Sequence, residues 1–372
     1  MIARSILRLC LGLLILQMVV GEAAGLSLVY EVRKGDSLWS IARLYQMSVK
    51  EIKLLNKLKG DRVYPGQVLK LGNNPNEIAA PNGPYYWRRP RVQAQQSQHY
   101  LERSTWSPLK DYRHARTLLK AFDAEVQSKL ARNRSRRFPL SGWKIVLDPG
   151  HGGIDPGAIV SNRAGKVPVY VVEDEYVYDI ALRVYERLKF LGADVMLTVI
   201  SPNHLIRENL QAVITFVHEQ NEVYNDERIN RKHSEGVRPG GRNLAQRVRI
   251  ANRFFKKARR GKSLFVSLHA DNSPERPKGP LAIYLKRKGK ADQKSRQFAQ
   301  VMQKALDQPN LPAQPKGRSL GVLRNNKAHA EILVEIRNVH DMGEAWALRF
   351  HKNRQKDADR IVKGIRNYVE GS

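Results

Sequence analysis

The chain is poor in cysteine, since its 372 residues contain a single one, Cys10. Cys10 lies in an apolar run over residues 9–20, which two arginines precede and Gly21-Glu22-Ala23-Ala24 follows. A basic start, a short apolar run and small residues are the pattern of a cleaved export signal, which we predict over residues 1–24. Cleavage would remove the thiol. Disulfides are then excluded, and any metal must be held by histidines and carboxylates.

Long apolar runs are also missing. The run over residues 9–20 is shorter than the roughly 20 residues that a membrane-spanning helix needs. We therefore expect an exported protein of the periplasm or the extracellular cell wall, which is not an integral membrane protein once the signal is cleaved.

Acidic residues are scarce, since 35 Asp and Glu face 65 Lys and Arg, which gives a formal net charge of +30. Such an imbalance favours an anionic partner. A nucleic-acid binder would account for the charge but not for an export signal, so no nucleic-acid partner is expected. An exported protein instead meets cell-wall carboxylates and other anionic envelope polymers, which are the partners that we predict for the basic surface.

Residues 28–72 form a short module after the predicted signal. Strand character at residues 28–32 and 68–71, and capping residues before two apolar periodic stretches between them, predict the order β-α-α-β. The module contains Tyr30-Glu31-Val32-Arg33-Lys34-Gly35-Asp36-Ser37-Leu38-Trp39-Ser40-Ile41-Ala42, then Leu55-Asn56 and Pro65-Gly66-Gln67.

On these residues the module resembles a LysM domain along essentially its whole length. The resemblance implies binding to glycans that contain N-acetylglucosamine, and hence to peptidoglycan. Taken singly, each residue can equally be a cap, a turn or a core position. The two loops that line the family's groove contain Gly35, Asp36, Ser37, Leu38, Tyr64, Pro65 and Gly66.

Residues 73–141 have the composition of a basic linker. Asn, Pro and Gln cluster in its first part, and an apolar periodicity predicts one helix from Pro108 to about Asn133. We expect this helix to dock weakly or to touch an anionic surface.

Residues 142–372 alternate strands with helices, which predicts an open, mostly parallel α/β sheet flanked by helices. Strands are predicted at residues 144–147, 194–198, 263–268 and 331–334, and helices at about 175–190, at 244–257 and near the C-terminus.

Three of these strands end in residues that can do chemistry. The first runs into Gly150-His151, the central one reaches His269, and the last reaches Glu335. Open α/β sheets build their sites at the carboxyl ends of strands, so these side chains are expected at one edge. Two histidines and a carboxylate can hold a catalytic zinc ion, and a second carboxylate must then take a proton from water. Two carboxylates with different roles are therefore required: Glu335 is one, and the other is expected among Glu173, Asp174 and Glu175.

Each of these residues also has a purely structural interpretation. A glycine-rich turn around His151 suits an anion, and His269 suits a hydrogen-bonded core position. An acidic helix start suits the helix dipole. The coincidence of all three strand ends is what favours a catalytic site.

Five motifs follow one another along this region: Ile145-Val146-Leu147-Asp148-Pro149-Gly150-His151-Gly152-Gly153, Glu173 with Asp179-Ile180-Ala181, Arg247 with Ile250-Ala251-Asn252, Phe265-Val266-Ser267-Leu268-His269-Ala270, and Val322-Leu323-Arg324 before Leu333-Val334-Glu335. Together they resemble the zinc-dependent N-acetylmuramoyl-L-alanine amidases. The resemblance implies one catalytic Zn²⁺ held by His151, Glu173 and His269, with Glu335 as the catalytic carboxylate and Glu175 as the alternative to Glu173. It also implies hydrolysis of the amide between N-acetylmuramic acid and L-alanine of the stem peptide.

Departures from the family pattern lie beside these motifs. Leu197-Thr198-Val199 lacks a basic residue, and Ile336-Arg337-Asn338 replaces a Gly-Phe segment. The interval from His269 to Glu335 is too short for the blocking helix of some relatives. Residues of about 200–240 are an insertion, which we predict to be a lid or a partner-docking element. None of its histidines is expected to be a metal ligand; they are His204, His218 and His233.

Competing classes of protein fit less well. A zinc carboxypeptidase would need an arginine clamp for a terminal carboxylate and a clustered His-x-x-Glu, which this region lacks. A catalytically inactive cell-wall-binding or activator protein on the same fold would not need all four predicted site residues. We therefore predict an exported peptidoglycan hydrolase and keep the inactive wall-binding protein as the alternative.

Overall fold

The computed structural model divides the chain into two compact units, Met1–Ala79 and Ala80–Ser372. The predicted signal and most of the predicted linker lie outside the residues that the structure describes. Among the described residues, no helix is both long and apolar enough to span a membrane. The described residues are 27–32, 37–45, 49–73, 86–87, 107–132, 138–164, 167–202, 204–207, 215–216, 218, 221–232, 236–238, 240–276 and 278–371.

The first unit has two strands and two helices in the predicted order. Strand β1 (Ser27–Glu31) pairs antiparallel with β2 (Val68–Asn73), and helices α1 (Leu38–Tyr45) and α2 (Val49–Asn56) lie between them along the chain. The Asn56 side chain donates to the carbonyl of Ile52 (2.8 Å) and to that of Lys70 (2.6 Å), which joins the end of α2 to β2. The predicted β-α-α-β module is confirmed. Its buried core contains Val32, Leu38, Ile41, Ala42, Ile52 and Leu69.

The second unit contains the remaining strands and helices. Its strands are β3 (Tyr86–Trp87), β4 (Lys144–Pro149), β5 (Ile159–Ala164), β6 (Val167–Val172), β7 (Asp194–Leu197), β8 (Val199–Ile200), β9 (Thr215–Phe216), β10 (Val223–Tyr224), β11 (Ser263–Asp271), β12 (Leu281–Arg287), β13 (Lys290–Ala291), β14 (Gln314–Arg318) and β15 (Ala330–Asn338). Its helices are α3 (Pro108–Ala131), α4 (Glu173–Phe190), α5 (Glu227–Lys232), α6 (Gly241–Phe255), α7 (Gln293–Leu306), α8 (Met342–Leu348) and α9 (His351–Glu370).

A seven-stranded sheet organises this unit, in the order β13-β12-β15-β11-β4-β7 with β14 on the far side of β12. The neighbours β15, β11, β4 and β7 are parallel, whereas β12 runs antiparallel to β15. The predicted open, mostly parallel sheet is confirmed. Because four parallel strands end at one edge, that edge collects the residues that follow β4, β11 and β15.

Helices cover both faces of the sheet, since alternate residues of its strands are buried in different clusters. Ile145 and Leu147 of β4 belong to one buried cluster together with residues of α4, α7 and α9, whereas Val146 packs with Val248 and Phe255 of α6. Phe298 of α7 packs against α9, so this helix belongs to a covering layer. Helix α7 lies in the interval between the two strands that carry His269 and Glu335.

Two boundaries differ from those predicted. Helix α4 begins at Glu173, two residues before the predicted start, because β6 ends at Val172 and that residue is itself the N-cap. Helix α3 ends at Ala131. An antiparallel hairpin of β5 and β6, which was not predicted, separates the first histidine motif from α4.

The described part of the insertion packs against the rest of the second unit, and its predicted role as a lid or partner-docking element stays a prediction. Strand β10 pairs with β8, and β9 pairs with β3. Phe216 is 1% exposed and stacks on Tyr176 of α4, with ring centroids 4.3 Å apart. The insertion contributes apolar and charged side chains to the core, which explains why it packs down on the fold.

Candidate metal centre and active site

The carboxyl edge of the sheet brings the predicted site residues together. Strand β4 leads directly into Gly150 and His151, and His269 lies near the end of β11. Glu335 on β15 is the register partner of His269, so these two side chains belong to adjacent positions of neighbouring parallel strands. The first residue of α4, Glu173, faces the two histidines.

Three donor groups converge at this edge. Glu173 Oε1 lies 3.3 Å from His151 Nε2 and 3.2 Å from His269 Nδ1, and the two imidazole rings meet edge to face with centroids 4.8 Å apart. The three ligand atoms lie within 4.8 Å of one another. Both histidine side chains are about one-fifth exposed, whereas Glu173 is buried. The cluster can therefore hold an ion from below and leave one side open to a substrate.

Backbone amides fix the Glu173 carboxylate in place. Its Oε1 accepts the N–H of Ala270 (2.8 Å), and its Oε2 accepts the N–H of Ala158 (2.8 Å). The N–H of Glu173 in turn donates to the carbonyl of Ala158 (2.9 Å). Glu173 thus links the end of β11, the loop after the first histidine and the start of α4, which gives its carboxylate one orientation.

The His151 loop has an unusual backbone and a buried anchor. His151 adopts a φ of +63°, which few non-glycine residues do and which often marks a functional site. Its Nδ1 lies 3.1 Å from Asp155 Oδ2, a contact that can orient the ring. Behind the loop, Arg247 Nη1 donates to Asp148 Oδ1 (2.9 Å) and Arg247 Nη2 donates to the His151 carbonyl. Asp155 was not singled out from the sequence, although it follows His151 at i+4.

Glycines let these groups approach one another closely. A Cβ on Gly150 would lie 2.4 Å from Cε1 of His269, so a larger residue would displace that ring. A Cβ on Gly157 would lie 2.6 Å from Glu173 Oε2, and Gly157 also has a φ of +66°. The glycine-rich sequence around the first histidine is thus a packing requirement of the site.

Charge coupling within the cluster shifts its pKa values. Burial by itself lowers the pKa of His151, but the carboxylates of Glu173 and Asp155 together outweigh burial and raise that pKa to about 10. Burial raises the pKa of Glu173, but the charges and hydrogen bonds of His151 and His269 together outweigh it and hold this pKa well below its ordinary value.

Glu335 differs from the other site residues in its surroundings. It is 9% exposed, and burial is the main cause that raises its pKa to about 7. Within the described part of the chain, its Oε2 is buried and has no hydrogen-bond partner. A carboxyl group whose pKa lies near neutral pH, and which has one oxygen without a hydrogen bond, is suited to proton transfer.

The predicted groove residues of the first unit are described only in part. Gly35 and Asp36 lie outside the described residues. Ser37, Tyr64, Pro65 and Gly66 are exposed, with Tyr64 60% exposed, whereas the side chain of Leu38 is 1% exposed and belongs to the core. Of the described groove residues, the exposed ones can therefore contact a glycan, whereas the buried side chain of Leu38 cannot.

A basic groove of about 680 Å³ lies between α6 and the loop before β15. The Asn252 side chain donates to the carbonyl of Asn325 (2.9 Å) and accepts the N–H of Lys327 (2.8 Å), which fixes the two walls. The residues that line this groove include no carboxylate. Its cationic residues are Arg249, Arg253, Lys256, Arg287, Arg324 and Lys327.

Comparison with known families agrees with this architecture. Residues 145–367, which are more than half of the chain, match the Amidase_3 family, described as N-acetylmuramoyl-L-alanine amidase. The chain therefore belongs to this family. Residues 30–72 match the LysM domain, so the first unit contains that domain.

Known relatives match one unit or the other. The germination-specific N-acetylmuramoyl-L-alanine amidase of Bacillus subtilis (strain 168) is 26% identical over 233 residues, which are 62% of this chain and 81% of that protein. The probable peptidoglycan endopeptidase LytE of the same strain is 55% identical over 42 residues, which are 11% of this chain and 13% of that protein. The uncharacterized protein YkzQ of this strain is 49% identical over 43 residues, 12% of this chain and 57% of that protein.

Solved structures of similar proteins include the CwlD amidase from Clostridioides difficile in complex with the GerS lipoprotein. That chain is 23% identical to this one, with a TM-score of 0.43 over 62% of this chain and 100% of its own length.

Proposed function

We propose that this chain is an exported, zinc-dependent hydrolase that cleaves the amide bond between N-acetylmuramic acid and the L-alanine of the peptidoglycan stem peptide. Membership of the amidase family supports the reaction class. The observation that carries the proposal is the convergence of His151, Glu173 and His269 at the carboxyl edge of the sheet, within ligand distance of one another.

The donor set fits a catalytic zinc ion. Two imidazoles and one carboxylate are a known ligand set, and a catalytic site keeps one position open. His151, Glu173 and His269 would hold the ion, and the partial exposure of both histidines leaves that open side. When bound, zinc polarises a carbonyl oxygen and lowers the pKa of water. The amide hydrogen bonds to Glu173 and the Asp155 contact to His151 would keep these ligands oriented.

Glu335 would move the proton that amide hydrolysis requires. Water adds its oxygen to the carbonyl carbon, the C–N bond breaks, and the departing nitrogen must gain a proton. Glu335 takes the proton from the attacking water and passes it to that nitrogen. Its raised pKa and its uncommitted Oε2 suit both transfers, because neither protonation state is strongly disfavoured near neutral pH.

The LysM domain would hold the enzyme on its polymeric substrate. Exposed Ser37, Tyr64, Pro65 and Gly66 are the described residues that we assign to glycan contact, and the amphipathic Tyr64 ring suits a sugar face. Binding and cleavage of the same polymer raise the local concentration of scissile bonds by tethering. This organisation requires the protein to act outside the cytoplasm.

Mass analysis of digested wall material tests the proposed reaction. Purified sacculi incubated with the wild-type chain should release intact stem peptides with a free L-alanine amine, and Glu335→Gln should release none. We expect the variant to keep its zinc content and its binding to sacculi. Glu331→Gln is the matched control. Glu331 is also a buried carboxylate on β15, but it lies four residues before Glu335, near the start of the strand and away from the metal ligands.

Three results would contradict the proposal. Full cleavage by Glu335→Gln would remove Glu335 from its role. Cleavage by the wild-type chain between amino acids would indicate a peptidase. Binding of sacculi with zinc present and with no cleavage by the wild-type chain would favour the inactive wall-binding or activator protein.

We also propose that the basic groove binds an anionic envelope polymer, because six cationic residues line it and the carboxylate that pairs with Arg253, that of Asp226, is not among the lining residues. Inorganic polyphosphate is a suitable probe. The double variant Arg249→Glu/Arg324→Glu should weaken binding at low salt by at least tenfold, whereas Lys363→Glu/Arg366→Glu, which makes the same change of net charge on the exposed part of α9, should change it little. Equal binding by both variants would assign the affinity to net charge alone.

A further inference from the structure

A second group of metal-ligating side chains lies behind the His151 loop. Asp174 follows Glu173 on α4, and His218 and Glu222 come from the insertion. All three are at least 95% buried, and their ligand atoms lie within 4.8 Å of one another. His218 Nδ1 is 2.6 Å from Asp174 Oδ2. This group shares no residue with the three donors at the sheet edge.

The charges of this region call for a further cation. Three buried carboxylates, Asp174, Glu175 and Glu222, lie close together, and isolated buried charges are costly. Arg207 Nη2 is 2.8 Å from Glu175 Oε2 and balances that acid. His218 lies against Asp174 and offers an imidazole nitrogen as a metal ligand. A divalent cation would neutralise the two remaining carboxylates.

The two carboxylates are also positioned as ligands. Among the described residues, Asp174 Oδ1 is a buried oxygen without a hydrogen-bond partner. Glu222 is fixed from the other side, because its Oε2 accepts the N–H of Gly153 at 2.9 Å. A buried carboxylate oxygen without a donor is unfavourable in a folded protein unless a cation takes the place of the donor.

We propose that Asp174, His218 and Glu222 hold a second, structural Zn²⁺ ion. One imidazole nitrogen and carboxylate oxygens suit this borderline metal. The site is closed, since its three side chains are buried, so its role would be to tie the insertion to the start of α4. Glu175, His204 and Glu222 also form a group of suitable size, but Arg207 already contacts Glu175 and would repel an ion there.

Zinc content of the purified full chain tests this site. After dialysis against metal-free buffer, elemental analysis of the wild type should find two zinc ions per chain. His218→Ala should remove one of them, and His151→Ala should remove the other. His204→Ala is the matched control, because His204 is a buried histidine of the same insertion outside the proposed ligand set, and it should keep both ions.

Cobalt substitution gives a measurement that does not depend on a variant folding. The wild-type chain titrated with Co²⁺ should show two saturable equivalents in its visible absorption, with the closed site exchanging more slowly with a chelator. A single equivalent in the wild type, or unchanged zinc in folded His218→Ala, would overturn the proposal. Loss of zinc in His204→Ala but not in His218→Ala would also overturn it. The catalytic assignment would survive each of these results, because it is tested by His151→Ala and Glu335→Gln.

Discussion

Replacing Asp179 by asparagine is expected to destabilise the second unit strongly. Asp179 lies on α4, is fully buried, and places Oδ2 2.9 Å from Arg183 Nε and 2.5 Å from Arg354 Nε. Its Oδ1 accepts the backbone N–H of Arg207 at 2.8 Å. Both guanidiniums also donate to the Arg207 carbonyl. One carboxylate therefore joins α4, α9 and the insertion.

The magnitude follows from the charges that remain. Burial raises the pKa of Asp179, but Arg354 and Arg183 outweigh it and lower that pKa from 3.8 to about 2. This difference is worth about 2 kcal/mol of stability at neutral pH. Asparagine would also leave the buried guanidinium groups of Arg183 and Arg354 without their carboxylate partner. Breaking a buried ion pair typically costs about 3–5 kcal/mol. We expect Asp179→Asn to lose about 3–5 kcal/mol of unfolding free energy.

Urea unfolding followed by circular dichroism measures this loss. Asp359→Asn is the control, since its pair with Arg187 is half-exposed, spans 3.5 Å and should contribute less than about 1 kcal/mol. The Asp179 contribution is present above pH 3.8 and is lost as the pH falls toward 2, so wild type and Asp179→Asn should converge in acid. Equal losses for Asp179→Asn and Asp359→Asn at neutral pH would refute the reasoning.

Three further substitutions test the site, the core and the LysM domain. Gly150→Ala should displace His269, because its Cβ would lie 2.4 Å from the ring, and so lower zinc content in elemental analysis, whereas Gly241→Ala meets nothing within 4 Å and should not. Burial raises the pKa of Glu331 to about 8, so the folded state holds the extra proton. Glu331 should therefore lower wild-type stability in urea by on the order of 1 kcal/mol per pH unit from about pH 5 to 8, and Glu331→Gln should reduce the measured slope by that amount, since Glu335 contributes a slope of its own. Tyr64→Ala should weaken cosedimentation with sacculi several-fold without changing the melting temperature, since the side chain is 60% exposed.

Regular patterns predicted much of the fold. The apolar runs of β4, β11 and β15 and the 3.6-residue periodicity of α4, α6 and α9 are local signals, and each element is present where its pattern lies. The hairpin of β5 and β6 was missed although β6 is an apolar run, because polar residues interrupt β5 and no turn pattern identified the two strands as a pair. Burial of that hairpin depends on partners that are distant in the chain.

The insertion shows the limit of local reasoning most clearly. Its histidines and charges resemble a solvated surface when they are read along the chain, yet His204, Arg207, His218 and Glu222 are all buried. The charge partners of His204, Arg207 and His218 on α4 lie 29 to 44 positions earlier in the sequence. Charge pairing across such a separation leaves no periodic trace, so only the folded chain shows that these groups neutralise one another.

By itself, the sequence determined the chemistry that is available: no thiol after the predicted cleavage, histidines and an acid at strand ends, and glycines around the first histidine. Parallel strands share an edge, so the convergence of those ends also followed from the sequence. Tertiary structure alone decided which acid of the helix start faces the histidines. Glu173, Asp174 and Glu175 are adjacent, but about 100° of rotation per residue points them at different neighbours. Glu173 meets both histidines, whereas Asp174 and Glu175 meet the insertion.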